Sequence, residues 1–351
     1  MNNTPSELTY PLAPQRPAAG QVLDVADGVR WLRMALPFAL DHINLWLLRD
    51  HFDGRDGWTV VDTCIDHPDA RAAWEGVFQH HLDGLPIVRV VITHMHPDHI
   101  GLSHWLCERW QVPMWISLGD YLNARMGSGA VRGFGGDAAR AFFTRHGISD
   151  PEHIQAVGLH GPRYGDMVPK VPANYRRLLD GLTLTIGSRT WRCIAGYGHA
   201  PEHMALYDEQ GGVLISGDMV LPRISTNVSV YETEPEGDPL SLFLSSLDRY
   251  LALPANTLVL PSHGEPFIGL HTRVAQLKQH HAERLAELIQ ACRNQPKTAL
   301  DILPVLFKRQ LDAHQLAFAM GEAIAHLNHL WHQQRLTRSV DAQHVHRFVA
   351  A

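Results

Sequence analysis

The stretch from residue 87 to residue 101 constrains the fold more than any other part of the chain. It runs Ile-Val-Arg-Val-Val-Ile-Thr-His-Met-His-Pro-Asp-His-Ile-Gly. Residues 87–93 are an apolar, β-branched run that follows a proline, a pattern that predicts a buried strand. Pro97 cannot continue a strand, so the polar residues that follow lie on a turn, and helical spacing begins at Ile100. The sequence therefore predicts a strand, a turn and the start of a helix in this one stretch.

Potential metal ligands are concentrated on the predicted turn, and they are His94, His96, Asp98 and His99. Imidazole nitrogens and carboxylate oxygens suit zinc, and they also suit iron, manganese and cobalt. Three imidazoles and a carboxylate at the end of a buried strand need partners, because burial of unpaired polar groups costs free energy. A pair of divalent cations supplies those partners. The spacing is too specific for a merely histidine-rich surface turn, so it predicts a metal site.

The turn resembles the metal motif of the metallo-β-lactamase superfamily, and three later stretches match the rest of that family's pattern in order. In each of them an apolar strand leads into a polar residue, and these residues are His199, Asp218 and His263. The resemblance covers about residues 20–270. It implies an α+β fold in which a four-layer αβ/βα sandwich forms the catalytic domain.

The resemblance also implies which residues bind which metal ion. One ion takes His94, His96 and His199, the other takes Asp98, His99 and His263, and Asp218 bridges the two. The two divalent cations, Zn²⁺ first and iron or manganese as alternatives, would lie about 3.5–4 Å apart. Asp98 would orient a hydroxide between them and act as a proton shuttle, which makes it the catalytic residue. His203 matches a histidine that often does not bind metal, and we leave it out of the set.

A further aspartate, Asp62, occupies the family's Asp-Thr-Gly position at the end of a predicted strand over residues 58–64. The resemblance implies that Asp62 lies behind the metal ligands and orients one of their imidazoles. The alternative is a turn residue at the end of a strand. Cys64 replaces the family's glycine, so the local backbone turn is an open question.

Composition and periodicity divide the chain into three parts. Residues 1–20 are rich in proline and alanine and are predicted to form an N-terminal arm. Residues 21–268 are predicted to form the catalytic domain, in which residues 119–180, with a glycine-rich stretch at 127–136, are predicted to be a helical cover for the site. Residues 269–351 show three helical patterns, the third capped by Asp312, and then a weak hairpin pattern. This order resembles the winged-helix tail on one branch of the superfamily.

The charges argue against a polyanionic partner. The net charge is −6 at pH 7, and no Lys or Arg occurs between residues 310 and 334, where a recognition helix would lie. Affinity for nucleic acid depends on cations that meet phosphates. We therefore expect no nucleic-acid partner, and we expect the C-terminal domain to form dimer contacts or to wall the substrate cleft.

The four cysteines lack metal-type spacing, which favours free thiols in a reducing cytoplasm. The first residues have neither a basic start nor an apolar core, so no signal peptide is predicted. No run approaches the roughly 18 apolar residues that a membrane span needs. We therefore predict a cytoplasmic protein without a membrane contact.

Hydrolysis is the function that these features favour. A ligand set without cysteine resembles the glyoxalase-type, lactonase, phosphodiesterase and ribonuclease branches of the superfamily. The negative charge and the apolar cover favour a small carboxyl ester, thioester or lactone, attacked by a metal-bridging hydroxide. In the polar loop after Asp218, the candidate substrate contacts are Arg223, Asn227 and Tyr231. The alternatives are a phosphodiesterase or endoribonuclease of the same fold, and a non-catalytic ligand- or DNA-binding regulator.

Overall fold

The computed structural model describes residues 7–129, 135–158, 160–308, 311 and 313–351. Two sequence predictions fall outside these ranges. They are the centre of the glycine-rich stretch, at residues 130–134, and the helix cap at Asp312.

A seven-stranded sheet contains the first strands of the chain in sequential order. Its strands are β1 (Val22–Ala26), β2 (Val29–Ala35), β3 (His42–Phe52), β4 (Arg55–Val61), β5 (Ile87–Val91), β6 (Met114–Ile116) and β7 (Arg176–Arg177). The helices in this part are α1 (Pro68–His80), α2 (Pro97–Ile100), α3 (Ser103–Trp110), α4 (Leu118–Ser128), α5 (Gly136–Arg145), α6 (Pro151–Gly158) and α7 (His160–Met167). Strands β1 to β4 pair antiparallel, whereas β4 to β7 pair parallel. The parallel pairs need crossover connections, and α1 to α7 lie in those connections.

A six-stranded sheet follows, with strands β8 (Thr183–Ile186), β9 (Arg189–Gly196), β10 (His203–Asp208), β11 (Val213–Gly217), β12 (Leu258–Pro261) and β13 (Phe267–Ile268). Strands β8 and β9 form the predicted hairpin, which turns at residues 187–188. Strands β11 and β12 pair parallel. Helix α8 (Pro239–Asp248) and a 3-10 turn (Arg249–Ala252) lie in the connection between them, where the sequence predicts a helix.

The two sheets pack face to face, and helices cover their outer faces. Trp31 and Trp46 of the first sheet share one buried cluster with Trp191 of the second. A second cluster joins the first sheet to α1 through residues such as Trp74, and a third joins the second sheet to α8 through Phe243. Helix, sheet, sheet and helix therefore form the layers, which confirms the predicted αβ/βα sandwich.

The C-terminal part contains α9 (Leu270–Ala291), α10 (Ala299–Leu306), α11 (Ala313–His332), β14 (Leu336–Val340) and β15 (His346–Ala350). Three helices and a hairpin are the elements that the sequence predicts, and Thr298 caps α10 in a capping box. Met320 and Ile324 of α11 are fully buried in the same cluster as Phe243, so these helices share a core with the second sheet. The winged-helix likeness stays a prediction.

The described part of the N-terminal arm is attached to the second sheet. Leu8 is buried, and Thr9 exchanges two backbone hydrogen bonds with Ile268, of 3.0 and 2.8 Å. None of the helices in the described ranges combines the length and apolarity needed to cross a bilayer.

The strand predicted over residues 58–64 is too long at its C-terminal end, because β4 ends at Val61. Asp62 and Cys64 then take left-handed backbone conformations, with φ of 63° and 73°. Cys64 thus adopts the conformation that the family's glycine favours, although a side chain is rarely accommodated there. The turn is therefore formed despite the substitution.

A buried ion pair at the centre of β5 takes part in connecting the two sheets. The Arg89 guanidinium lies 2.7 Å from Asp50 Oδ2, and both side chains are at most 3% exposed. Arg89 also donates to the carbonyl of Thr185, and Asp50 Oδ1 accepts from the backbone of Gly187 at 2.8 Å. Because residues 185 and 187 belong to the β8–β9 hairpin, this network fixes the second sheet against the first.

We expect Asp50→Ala to lower the free energy of unfolding by about 3–5 kcal/mol, because it leaves the Arg89 charge buried without a partner. Glu75→Ala is the matched control, since it removes an exposed carboxylate 2.6 Å from Arg109 and should cost about 1 kcal/mol or less. Chemical denaturation followed by circular dichroism measures both values. Equal losses in the two variants would contradict the assigned role of the pair.

Candidate metal centre

The residues predicted as ligands meet at one edge of the sandwich because each follows the end of a strand. The turn after β5 carries His94, His96, Asp98 and His99, while His199 follows β9, Asp218 follows β11 and His263 follows β12. A backbone hydrogen bond of 2.8 Å from Met204 to Thr93 joins the two sheets at this edge. The structure therefore brings together all seven residues.

Three imidazole nitrogens form a compact triangle. His96 Nδ1 lies 2.9 Å from His94 Nε2 and 3.1 Å from His199 Nε2, and the two Nε2 atoms are 3.2 Å apart. A tetrahedral zinc ion with bonds of about 2.0–2.1 Å to nitrogen separates its ligands by about 3.3 Å. The triangle is therefore the right size for one such ion.

A second group lies beside the first, and Asp218 is positioned between them. Asp98 Oδ2 is 3.3 Å from His263 Nε2 and 3.6 Å from His99 Nε2. Asp218 Oδ1 faces these two imidazoles at 3.6 and 3.7 Å, whereas its Oδ2 lies 3.4 Å from His199 Nε2. One carboxylate oxygen thus points toward each group, as a bridging ligand requires.

Two buried polar atoms of this centre are left for a ligand to satisfy. His99 Nε2 and Asp218 Oδ1 are both buried and have no hydrogen-bond partner among the described residues. Buried polar atoms without partners are rare in proteins and call for a specific explanation. Divalent cations satisfy these atoms, and the nitrogen and oxygen donors are the types that zinc, iron and manganese accept. The residues present therefore fit a pair of cations.

Hydrogen bonds to the opposite ring nitrogen orient four of the five imidazoles. The distances from Nδ1 to these hydrogen-bond partners are 2.7–3.0 Å. His94 Nδ1 faces Thr93 Oγ1, and His99 Nδ1 faces Asp62 Oδ2. His199 Nδ1 faces the Asn227 carbonyl, and His263 Nδ1 faces the His42 carbonyl. When each Nδ1–H donates, the lone pair on Nε2 points into the centre. His96 differs, because its Nδ1 faces the triangle.

Burial and neighbouring charges set the protonation of these groups. Burial, together with the adjacent His199, lowers the pKa of His96 to about 3, so this imidazole is neutral at pH 7. Burial also opposes the charged form of His99, but Asp98, Asp62 and Asp218 outweigh it and raise that pKa to about 10. The carboxylates thus attract positive charge to the centre, whether it is carried by protons or by metal ions.

Asp62 lies behind the centre, where the sequence analysis predicts it. Its Oδ2 is 2.8 Å from His99 Nδ1 and accepts a 2.8 Å hydrogen bond from the Thr93 hydroxyl. Its Oδ1 accepts from the backbone of Thr93, also at 2.8 Å. One fully buried carboxylate therefore contacts both a ligand ring and the strand that carries the ligand turn.

Asp120 is a supporting residue that the sequence analysis missed. It is completely buried, and its two oxygens accept from the backbone N–H groups of Met95 at 2.8 Å and Glu202 at 2.7 Å. These residues lie in the His94–His99 turn and in the loop after His199, so one carboxylate ties two ligand loops together. One sequence feature points to this position: the Ser117 hydroxyl caps the start of α4 by accepting a hydrogen bond from the backbone N–H of Asp120.

His203 supports Asp218 and belongs to none of the ligand groups that the described residues form. The backbone N–H of Asp218 donates to His203 Nε2 at 3.2 Å. The imidazole packs against Gly217, where a Cβ atom would lie only 2.1 Å from Nε2. Gly217 also has a φ of 53°, so both space and conformation require glycine before the aspartate.

A cavity of about 540 Å³ includes Asn227 in its wall. Its walls come from residues 37–40, between β2 and β3, and from the C-terminal part, including Phe307 and Phe318. Asn227 and Glu322 contribute polar groups to it. The Asn227 carbonyl also accepts the hydrogen bond from His199 Nδ1, so one residue of the cavity wall contacts a ligand ring.

The three candidate substrate contacts lie in different environments. Asn227 lines the cavity, and its contact with a substrate stays a prediction. Arg223 has a 70% exposed side chain that pairs with Glu265 at 3.4 Å, so it lies on the surface and not in the cavity wall. Tyr231 is half-buried and is not among the described residues that line the cavity. Contacts of Arg223 and Tyr231 with a substrate stay predictions.

All four cysteines are free and buried. Burial raises the pKa of Cys64 and of Cys107 to about 12, so these thiols are protonated at neutral pH. They are therefore apolar core residues and not thiolate ligands.

Comparisons with known proteins agree with this geometry. The family model of the metallo-beta-lactamase superfamily matches residues 39–263, and a model of the metallo-beta-lactamase-like C-terminal domain matches residues 285–351. Over 314 residues the chain is 24% identical to the probable metallo-hydrolase YqjP of Bacillus subtilis, an alignment that covers 87% of this chain and 93% of that protein. It is also 28% identical over 211 residues to the probable metallo-hydrolase YflN of the same organism, covering 54% and 69%.

Solved structures of metallo-beta-lactamase-type proteins are also similar to this chain. A beta-lactamase domain protein from Burkholderia ambifaria is 52% identical, with a TM-score of 0.93 and 98% of each chain covered. The metallo-beta-lactamase family protein TTHA1429 from Thermus thermophilus is 28% identical, with a TM-score of 0.78 and coverage of 93% of this chain and 99% of that one. The family model spans more than half of the residues, and the sandwich and its histidine-rich edge agree with it. The chain therefore belongs to the metallo-beta-lactamase superfamily and is a metal-dependent hydrolase.

Proposed function

We propose that the protein is a dinuclear-metal hydrolase of small carboxyl esters, thioesters or lactones. The observation that carries the proposal is the position of Asp218, whose two carboxylate oxygens face two separate groups of ligand atoms. A protein that bound a single metal ion to stabilise its fold would need only one of these groups of ligand atoms. Two adjacent groups joined by one carboxylate suit the two-metal chemistry of hydrolytic enzymes.

We assign His94, His96 and His199 to one ion, Asp98, His99 and His263 to the other, and Asp218 to both. Zn²⁺ is our first candidate, because the set consists of imidazoles and carboxylates, with iron and manganese as alternatives. When bound, such ions supply a hydroxide nucleophile at neutral pH and stabilise the negative charge that develops on an attacked carbonyl oxygen.

The protein's own groups then position the reactants and move the proton. Asp98 contacts both His263 and His99, and it is the ligand carboxylate nearest to the protein surface, with 19% of its side chain exposed. It is therefore placed to orient the attacking oxygen and to accept its proton. Hydroxide adds to the carbonyl carbon, the bond to the leaving oxygen or sulfur breaks, and the proton passes to that leaving atom.

The cavity favours an organic acyl group over a phosphodiester. Its walls include Phe38, Leu40, Phe307 and Phe318, and Glu322 is the charged side chain among the described residues that line it. A phosphodiester would bring negative charge toward that carboxylate, and no described cation of the lining would offset it. An acyl group instead gains from burial on the apolar walls.

The first prediction concerns the metals. We expect about two ions per chain in the wild-type protein and a loss of at least one ion in His96→Ala and in Asp218→Ala, with the fold retained. His153→Ala, at an exposed helix position, is the control and should keep both ions. Elemental analysis and circular dichroism provide the readouts. Unchanged metal content in Asp218→Ala would refute the assignment.

The second prediction concerns the reaction. Thioesters, lactones and a bis-aryl phosphodiester should be assayed with protein loaded with zinc, manganese or iron. We expect kcat/KM for the best acyl substrate to exceed that for the phosphodiester by at least about tenfold, because of the charge of the cavity. A phosphodiester preference would instead support the alternative phosphodiesterase function. DNA binding without any turnover would support a regulator.

The third prediction concerns Asp120. We expect Asp120→Asn to weaken metal affinity by about 10–100-fold, because an amide replaces one of the two oxygens that hold the ligand loops. The overall fold should remain, since the change is isosteric. Asp137→Asn is the control, because Asp137 is exposed on α5. Competition with a chromophoric chelator measures the affinity, and equal affinities in the two variants would show that Asp120 does not support the centre.

A further inference from the structure

The cavity that Asn227 lines has both apolar and polar walls. Residues 37–40 and the side chains of Phe307, Phe318 and Ala319 form the apolar part. Its volume of about 540 Å³ lies within the range of roughly 300–1,000 Å³ that is typical of small-molecule sites. Glu322, on α11, places a carboxyl group in the same wall as these apolar side chains.

Residues of the cavity wall are linked to the ligand cluster through the backbone. The carbonyl of Asn227, a wall residue, accepts from His199 Nδ1 at 2.7 Å. The wall residues 37–40 lie just before His42 in the chain, and the His42 carbonyl accepts from His263 Nδ1 at 2.8 Å. The described lining contains none of the seven ligand residues, so the link runs through the residues that orient two ligand rings.

Among the described residues, one hydrogen-bond donor holds the Glu322 carboxyl in place, and that donor is the neutral amide of Asn227. Its Oε2 accepts a 3.1 Å hydrogen bond from Asn227 Nδ2, and Asn227 Oδ1 accepts from the Ser229 hydroxyl at 2.7 Å. No described Lys or Arg pairs with Glu322. Burial raises the pKa of this carboxyl to about 7, although the Asn227 hydrogen bond opposes the shift. A cationic ligand would favour the ionised form.

We propose that Glu322 determines substrate specificity by pairing with a cationic nitrogen at the far end of an apolar acyl group. The substrate would be a medium-length acyl ester, thioester or lactone whose carbonyl lies at the ligand cluster and whose ammonium group lies against Glu322. This identification of a substrate rests on the proposed hydrolase function. The binding of an alkylammonium ion in the cavity does not depend on that function.

The binding experiment uses the metal-loaded protein and two probes of equal length, hexylammonium and hexan-1-ol. We expect hexylammonium to bind at least about tenfold more tightly, because a partly buried ion pair adds to the same apolar contact. Glu322→Gln should abolish this preference, since it removes the charge but keeps an oxygen that accepts from Asn227. Calorimetric titration gives both affinities. Glu283→Gln, an exposed change of the same kind on α9, should leave the preference unchanged.

A reciprocal variant keeps the test decisive if Glu322→Gln is poorly folded. Gln315→Glu adds a carboxylate to the same cavity wall and should increase the preference for hexylammonium. Equal binding of the two probes by the wild-type protein would overturn the proposal. A preference that survives Glu322→Gln would also overturn it, because the amine would then be bound elsewhere, for example at a metal ion.

A kinetic comparison tests whether the same contact acts on substrates. Thioesters of 6-aminohexanoate and hexanoate differ only at the far end of the acyl group. We expect Glu322→Gln to lower kcat/KM for the amino compound by at least about tenfold and to change that for hexanoate by less than about threefold. Equal losses for both compounds would overturn the specificity role and indicate that Glu322 positions Asn227. If neither compound is hydrolysed while the binding preference persists, the hydrolase proposal fails and the cation site stands.

Discussion

Four buried imidazoles direct the same nitrogen into one centre because a hydrogen bond holds the other nitrogen of each ring. The acceptors differ in kind and come from separate parts of the chain: a threonine hydroxyl, an aspartate and two backbone carbonyls. Without these contacts each ring could rotate, and the ligand atoms would not remain within bonding range of common positions. The loops that carry the acceptors must therefore be as well fixed as the ligands themselves.

Asn227 is where the two functional parts of the molecule meet. Its backbone carbonyl fixes the ring of His199, and its side-chain amide donates to Glu322 on α11. A residue of the loop after the bridging Asp218 thus contacts both the ligand cluster and the C-terminal helices. The C-terminal part therefore does more than extend the core, since it supplies much of the wall of the cavity that Asn227 lines.

The turn that carries four ligands could be read directly from the sequence, the distant ligands could be identified only through the family resemblance, and the supporting residue Asp120 could not be predicted. The turn after β5 is readable because its four ligands lie within six positions, and a strand pattern leads into Asp218 and His263. Asp120 contacts residues that are 25 and 82 positions away, and no local pattern encodes such distances. Its sequence context, Ser-x-x-Asp at the start of a helix, indicates only a cap.

The sequence did not indicate a functional role for Glu322, and the reason is different. A glutamate on an amphipathic helix normally belongs to its solvated face, and the apolar residues around it predict only a buried stripe. The apolar segment 37–40 lies on the other side of the cavity, in a much earlier part of the chain. Only the assembled fold shows that the carboxyl faces a cavity. The fold itself was predicted through the resemblance of the ligand turn and the three later stretches to the metallo-β-lactamase superfamily, and not from the pattern of strands and helices.

Strand β5 is buried along its length, yet it carries a charged residue at its centre and leads into the ligand turn. At its centre Arg89 pairs with Asp50, and soon after its end His94 enters the ligand cluster, while Val88, Val90 and Val91 are at most 1% exposed. Each of these polar groups is expensive to bury alone, and each is compensated by groups from the neighbouring strands, the second sheet or the loops attached to it. A shift of β5 by one residue would separate both sets of partners and also turn the valines toward the wrong faces. The apolar residues of the strand and its polar groups therefore specify the same register, which is the register that assembles the metal centre.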